Sequence, residues 1–191
     1  TLPQEVPDDS IVITTYNVKS GQYGVGGIVQ QLQASGSSVI FLQEVTPTVL
    51  DALASELDMQ AIPGWTIENS KLTYGDAILT SLSVESTDFF RLPSGNLEQR
   101  GLLTATLESP VDGKQFIVAD THLTNEEMLL NGDKNAAVRQ DQAEAILGDL
   151  KKLQEKDEPV ILAGDFNVGT DSQVYDTLTK KYKDMVAKQL G

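Results

Sequence analysis

Val160-Ile161-Leu162-Ala163-Gly164-Asp165-Phe166-Asn167 is the stretch on which the fold of this chain turns. Its first four residues are apolar, two of them β-branched, and predict a buried strand. The strand ends in a short acidic turn, which brings a carboxylate and an amide to one edge of a sheet. A carboxylate suits a hard cation, and an amide can hold a phosphate oxygen or an attacking water. The turn also has a plain conformational explanation, because Gly, Asp and Asn recur after strands for backbone reasons. Other strand ends in the chain decide between the two.

Toward the N-terminus, Ile11 to Tyr16 alternates and is rich in β-branched residues, so it predicts a strand ending at Asn17. Lys19 to Gly27 carries four glycines and is expected to be a loop, without the glycine offsets of a dinucleotide site. Ile28, Gln31 and Leu32 fall at helical spacing within Gly27 to Ala34. Val39 to Leu42 predicts a short buried strand ending in Gln43-Glu44. Thr46 and Pro47 suit an N-cap and first helical position. Val49, Leu50, Leu53 and Leu57 then form an apolar stripe. Between Ala61 and Leu107 come short strands at Trp65–Ile67, Ala77–Leu79, Phe89-Phe90 and Leu102–Leu107. Phe116 to Ala119 predicts another, ending in Asp120-Thr121-His122. Ala136 to Lys156 is a long amphipathic helix. Ser172 to Lys181 is a shorter one, with Asp171 as its cap. Strand–helix–strand units at both ends and a meander between them predict an α+β sandwich, two packed mixed sheets with helices outside. A doubly wound parallel sheet is second choice, because the central strands lack helices. Residues 1–10 are expected to form an irregular arm, and 11–191 the folded domain.

The length of 191 residues fits one domain. Apolar residues make up 40% of it and no run approaches membrane-spanning length, so a soluble globular protein is expected. The net charge of −14 repels nucleic-acid phosphates at long range and weighs against generic nucleic-acid binding. Lys180, Lys181, Lys183 and Lys188 are the visible basic cluster, read as a solvated helix face. With no cysteine, disulfides, thiolate metal sites and cysteine nucleophiles are excluded. A start at Thr1 with no apolar leader is compatible with a processed, secreted protein.

If the strand ends converge, one site gathers Glu44 and Asp165 as oxygen ligands. Asn17 and Asn167 join them as neutral hydrogen-bonding groups, and His122 as a cationic or proton-donating group. Oxygen-rich, sulfur-free ligation suits Mg2+ or Mn2+ better than Zn2+. Arg100 stands where a strand begins and can clamp a phosphate oxygen. Gln43 and Asp120, beside Glu44 and near His122, are supporting polar residues. Arg139 and Gln142, three apart on a helix, share a face and are expected to support the site or pack. Each residue has a structural alternative: Glu44 as an ordinary strand-end carboxylate, Asn17 as a turn residue, His122 as a hydrogen-bonded core residue, Arg100 as a surface arginine.

Seven short motifs stand in order: Tyr16-Asn17-Val18, Leu42-Gln43-Glu44, Tyr74-Gly75-Asp76-Ala77-Ile78-Leu79, Gln99-Arg100-Gly101, Asp120-Thr121-His122-Leu123, Arg139 with Gln142, and Gly164-Asp165-Phe166-Asn167. In this order the chain resembles the endonuclease/exonuclease/phosphatase superfamily, from about Ile11 to Val186. The resemblance implies a four-layer α/β sandwich and Mg2+-dependent cleavage of a phosphoester by an activated water. By the same resemblance Glu44 matches a metal-ligand glutamate. Asn17, Asp165 and Asn167 match residues that hold the metal, the phosphate and the water. His122 matches the histidine at the phosphate or leaving group, and Arg100 a position near the phosphate. A nucleic-acid phosphodiester is the first expectation for the substrate, and a small phosphodiester or phospholipid headgroup the next.

The chain departs from the resemblance at its end. Members close with a strand carrying an Asp and a Ser-Asp-His-like motif, whose His–Asp pair activates the water. Val168 to Gly191 contains no histidine. Lys183-Asp184-Met185-Val186 resembles the segment before those final strands, so the C-terminal strands are expected to be missing. General-base help contributes about 10²–10⁴-fold, so hydrolysis without it is expected to be feeble. The sequence is then part of a longer enzyme, or is completed by a second polypeptide, or is a non-catalytic binding or assembly module. The first is preferred, because Asn17, Glu44, His122, Asp165 and Asn167 are all retained.

Overall fold

A computed structural model of the protein describes residues 10–129, 132–154 and 158–185. The predicted arm over residues 1–9, the predicted helix end at 155–156 and the terminal residues from 186, Lys188 among them, lie outside the described residues.

The first half runs β1 (Ile13–Asn17), α1 (Val25–Ser35), β2 (Val39–Val45), α2 (Pro47–Leu57), β3 (Gln60–Glu68) and β4 (Thr73–Thr80). The second runs β5 (Val84–Arg91), β6 (Gly101–Glu108), β7 (Gln115–His122), the short pair β8 (Met128–Leu129) and β9 (Gly132–Asp133), α3 (Ala136–Leu153), β10 (Val160–Asp165) and α4 (Gln173–Thr179). Two four-stranded sheets result, in the orders β1-β2-β4-β3 and β10-β7-β6-β5. Each has one parallel pair at one edge, β1 with β2 and β10 with β7, and is antiparallel elsewhere. Helices α1 and α3 make the two crossovers that parallel pairing requires.

Three apolar layers hold the sandwich together, and the four-layer expectation is met. Ile28, Leu32, Leu50 and Leu53 of the helices pack on Ile40, Leu42 and Leu79 of the first sheet. Ala143, Ile146, Leu150 and Leu178 pack on Leu102, Ile117 and Ala119 of the second. Val39, Phe41, Ile78, Leu103, Leu107 and Val118 fill the space between the sheets. With both faces covered, β2 is buried at every position from Val39 to Gln43, as a central strand of a covered sheet should be.

The period of two along each strand decides what this interlayer becomes at one end. Val39 and Phe41 point inward on β2, and Gln43 is next in that series. Val118 is followed on β7 by Asp120 and His122. Ile78 is preceded on β4 by Asp76. Ile13 is followed on β1 by Thr15 and Asn17, and Ala163 on β10 by Asp165. Toward the ends of the parallel strands, the interlayer therefore turns from aliphatic to polar.

Several local expectations change. Val25 and Gly26 belong to α1, not to a loop, while Gly27 lies in the helix as its spacing predicts, and Lys19–Gly21 forms a separate 3-10 turn. Burial of Ile28, Val29 and Leu32 outweighs the helix cost of two glycines, about 1 kcal/mol each. Ser172, not Asp171, caps α4, its Oγ accepting from the Tyr175 N–H at 3.1 Å. Thr46 is the N-cap residue of α2, with Pro47 at the first helical position, but its side chain makes no capping bond. Lys180, Lys181 and Lys183 are exposed just beyond α4, not along a helix face. Asp120, Thr121 and His122 form the end of β7, as expected. Among the described residues, no helix is long and apolar enough to cross a membrane.

Candidate active site

Glu44 would point away from the interlayer if β2 kept its alternation, since it follows inward-facing Gln43. The register with β4 shifts between Leu42 and Val45, and Glu44 takes a left-handed φ of 59°. Such a bulge re-aims a side chain, and a non-glycine residue held at positive φ is strained. Here it brings the carboxylate to the interlayer end, where Asn17 Nδ2 donates to Glu44 Oε1 at 2.9 Å.

The same Asn17 nitrogen donates to Asp165 Oδ2 at 3.2 Å, across from the other sheet. Asn17 Oδ1 meanwhile accepts from the Lys19 N–H at 3.1 Å. Asn17 therefore turns its nitrogen toward the two carboxylates and its oxygen toward the Lys19 N–H. Asp165 Oδ1 accepts from the Asn167 N–H at 3.1 Å, and Asn167 Nδ2 donates to the Leu123 carbonyl at 2.9 Å. Asn167 sits at φ 51°, a conformation asparagine tolerates. One of the two Nδ2 hydrogens of Asn167 is spent on that carbonyl, which leaves an N–H and Oδ1 to offer to a phosphate oxygen or a water. Gly164 is required before Asp165. Its φ is 138°, and a methyl group there would overlap the Thr121 carbonyl oxygen of β7.

His122 is 4% exposed at the end of β7. Arg100 Nη1 lies 3.2 Å from His122 Nδ1 and 2.9 Å from Glu98 Oε1. His122 Nε2 lies 3.8 Å from Asp165 Oδ2. Burial, helped by the Arg100 charge, holds the imidazole down at about 4, against the opposing pull of Asp165 and Glu44. The ring is then neutral near pH 7, and of the two expectations, cationic or proton-donating, this favours the second. Arg100, expected at a phosphate, is itself buried and engaged with His122 and Glu98.

Beneath these groups lies a buried polar floor. Gln43 Nε2 donates to Asp120 Oδ1 at 2.7 Å, joining the two sheets, and to Thr15 Oγ1 at 3.2 Å. Among the described residues, Asp120 Oδ2 is buried without a side-chain hydrogen-bond partner. Burial first, and then the neighbouring Asp76, push the Asp120 carboxyl well above the usual range. Asp76, on β4, is pushed up to about 7 by burial, with Arg100 opposing. Gln142 Oε1 accepts from the Thr124 N–H at 3.0 Å, and its Nε2 donates to Thr124 Oγ1 at 2.9 Å and Ser94 Oγ at 3.3 Å. Arg139 donates to the Thr124 carbonyl at 3.3 Å and pairs with Asp133. The two do share a face, and through Thr124 they fix the chain just after His122.

Glu98, Thr15, Ser94 and Thr124 carry no expected role in the sequence, and Asp76 stands there only within the Tyr74–Leu79 motif. Thr15 was within reach, being two residues before Asn17 on an alternating strand. Asp76 was within reach too, two before inward-facing Ile78. Nothing local marks Glu98 or Ser94, whose partners depend on how the segment before β6 folds back.

Thr15, Asn17, Gln43 and residues 164–168 line an open cleft of about 450 Å³ at this end. Among the described residues, no group of three or more His, Asp or Glu side chains is placed to hold a metal ion. What the corner offers is two carboxylates, Glu44 and Asp165, brought together on one amide. Hard oxygen donors in small number fit a cation that keeps most of its water, such as Mg2+.

Fold and site together define a four-layer α/β sandwich with an acidic, amide-bearing cleft where two parallel strand pairs end. A family model described as the Endonuclease/Exonuclease/phosphatase family matches residues 14–187, and the chain belongs to that family. Among solved structures, the fold is similar to the human Nocturnin catalytic domain with bound sulfate, at 22% identity and TM-score 0.75, covering 90% of this chain and 69% of that one. A mannosyl-6-phosphatase from Bacteroides thetaiotaomicron matches at 19% identity and TM-score 0.75, covering 90% and 71%. D. rerio TDP2 in complex with a single-strand DNA product matches at 20% identity and TM-score 0.69, covering 87% and 64%. No curated protein matches the sequence.

Proposed function

We propose that this chain carries the cation- and phosphate-handling side of a divalent-metal-dependent phosphoester hydrolase. The observation that carries this reading is the meeting of Glu44 and Asp165, from separate sheets, on the Asn17 nitrogen. Glu44 and Asp165 would hold Mg2+ or Mn2+, with water completing the shell. Such a cation, when bound, draws charge off a phosphoryl oxygen and stabilises the leaving oxygen.

The chain's own residues supply the remaining groups. Asn17 spaces the two carboxylates and fixes their direction. His122, neutral and buried, offers a ring N–H to a phosphoryl or leaving-group oxygen without adding charge. Asn167 Oδ1 accepts from a water and orients it. Thr15 and Gln43 form the floor, and Arg139 and Gln142 hold the Thr124 segment so that His122 keeps its place.

A base to activate the water is not among the cleft residues. The lining includes one carboxylate, Asp165, and the sequence has one histidine, whose Nδ1 faces Arg100. Hydrolysis by these residues alone is therefore expected to lack about 10²–10⁴-fold. Strands β1 and β10 are the edges of their sheets beside the cleft. A strand added at either edge, from a second chain or a further segment of the same polypeptide, would set side chains next to Asn17 or Asp165. The same shortage of a base favours a second reading, a non-catalytic binding or assembly module of this fold.

The substrate class is a phosphodiester, from nucleic acid or a phospholipid headgroup, with the charge of −14 weighing against tight non-specific duplex binding. Hydrolysis of bis-p-nitrophenyl phosphate with Mg2+, with Mn2+ and with chelator tests the reading. Wild type should turn over only with metal, and Glu44→Ala should lose that rate. Equal rates in the two proteins would remove the metal assignment. Plasmid nicking run beside sphingomyelin and phosphomonoester cleavage sorts the substrates.

A further inference from the structure

We propose that Glu98 and Arg100 are positioning residues for His122: the Glu98 carboxylate holds the Arg100 guanidinium so that Nη1 donates to His122 Nδ1, fixing the imidazole proton on Nε2. The proposal concerns the same site as the hydrolase reading, but it rests on hydrogen-bond chemistry and is tested without turnover.

Arginine carries five N–H donors, accepts nothing and stays protonated. Whatever lies at hydrogen-bond distance from its Nη1 must therefore accept. His122 Nδ1, at 3.2 Å, is then the unprotonated nitrogen, and the single proton of the neutral ring is on Nε2. His122 Nδ1 is the hydrogen-bond partner of Nη1, and Glu98 Oε1, 2.9 Å from the same nitrogen, is its ion-pair partner. With the Arg100 side chain only 8% exposed, a buried cation needs a counter-charge, and Glu98, at 44%, supplies it from the solvent side.

The consequence lies on the opposite side of the ring. Nε2 stands 3.8 Å from Asp165 Oδ2, beyond hydrogen-bond length. The Nε2–H is thus aimed at the carboxylate corner without being consumed by it, and can be offered to an oxygen placed there. Glu98 also acts by charge on Asp76 and Tyr74, but toward His122 its contact runs through Arg100. Sequence gave no reason to single it out, and it assigns Arg100 to the histidine in place of the open cleft.

His122 is the only histidine of the chain, so one imidazole answers the question directly. The experiment is a long-range 1H–15N correlation spectrum of 15N-histidine-labelled protein near neutral pH, in wild type, Glu98→Gln and Arg100→Met. Wild type should show a protonated Nε2 and an Nδ1 resonance displaced by an accepted hydrogen bond. Glu98→Gln, a substitution at a half-exposed position, should move Nδ1 back toward the free-imidazole value and admit the second tautomer. Arg100→Met should abolish the displacement. A wild-type ring protonated on Nδ1, or ring spectra identical in wild type and Glu98→Gln, would overturn the proposal. Should Arg100→Met fail to fold, Glu98→Gln decides alone. The expected spectra in a protein that hydrolyses nothing would remove the hydrolase reading and uphold this arrangement.

Discussion

Asn17 Nδ2 lies 2.9 Å from Glu44 Oε1, and this bond exists because Glu44 leaves the regular strand conformation. The nitrogen also reaches Asp165 Oδ2, so two like charges from different sheets share one neutral donor. A cation that binds the folded form alone raises its stability by RT ln(1 + [L]/Kd), about 2.7 kcal/mol at a hundredfold excess over Kd. Added Mg2+ is expected to raise the melting temperature of wild type. Asn17→Ala should be less stable without metal, since bonds from a neutral donor to charged groups contribute about 1.5–3 kcal/mol, yet should keep the upward shift. Glu44→Ala should lose the shift. Thermal unfolding with and without Mg2+ decides the matter. A shift that survives Glu44→Ala but vanishes in Asn17→Ala would make the amide the ligand.

The buried imidazole yields a prediction with a definite sign. His122 is held at about 4, below its ordinary 6.5, chiefly by burial. The unfolded chain therefore takes up a proton before the folded one as pH falls. The stability this group contributes is whole above about pH 6.5 and declines as pH drops toward about 4. In the folded protein the ring resonance should stay flat between about pH 8 and about pH 5.5. An NMR titration with a midpoint near the ordinary histidine value would contradict the burial on which the neutral-donor role depends.

Asp76 gives the opposite slope. Its carboxyl is raised from 3.8 to about 7, mainly by burial, with Arg100 opposing. Between these values the folded state keeps a proton that the unfolded state has lost. Stability is therefore full below the unfolded value and declines as pH rises through the window. Asp76→Asn keeps the shape and removes the titration. The difference in urea midpoint between about pH 5 and about pH 8 should be smaller in Asp76→Asn than in wild type. Equal differences would show that Asp76 is ionised in the folded protein.

Sequence revealed more of the frame than of the wiring, for a physical reason. Alternation in Ile11–Tyr16, Val39–Leu42 and Val160–Ala163 marks strands, and the polar residues at their ends are visible because they break an apolar run. That Asn17, Glu44, His122 and Asp165 gather at one end follows once β1 and β2, and β7 and β10, are parallel. The bulge at Glu44 left no trace, since nothing in Leu-Gln-Glu-Val states that one residue will turn left-handed. The charge state of His122 stays open in the sequence because it depends on burial between sheets and on Arg100, 22 positions away. Gly26 reads as loop but is helical, because propensity argues one way and the buried face of α1 prevails.

Two glycines separate backbone necessity from mere tolerance. Gly164 sits at φ 138°, and an added methyl would strike the Thr121 carbonyl, a backbone atom in the parallel ladder that cannot swing aside. Gly164→Ala should therefore cost at least about 2 kcal/mol, from backbone strain together with overpacking. It should also displace Asp165, so that any folded Gly164→Ala protein loses the Mg2+-induced rise in melting temperature. Gly148 lies within α3, is exposed, and has nothing within 4 Å of the position a methyl would take. Gly148→Ala should stabilise the protein by about 0.5–1 kcal/mol and leave the Mg2+ response intact. Urea midpoints and metal-dependent melting of the two variants, measured side by side, check both statements. A Gly164→Ala protein as stable and as metal-responsive as Gly148→Ala would mean that β10 does not approach Thr121 as closely as the structure has it, and the placement of Asp165 would fall with it.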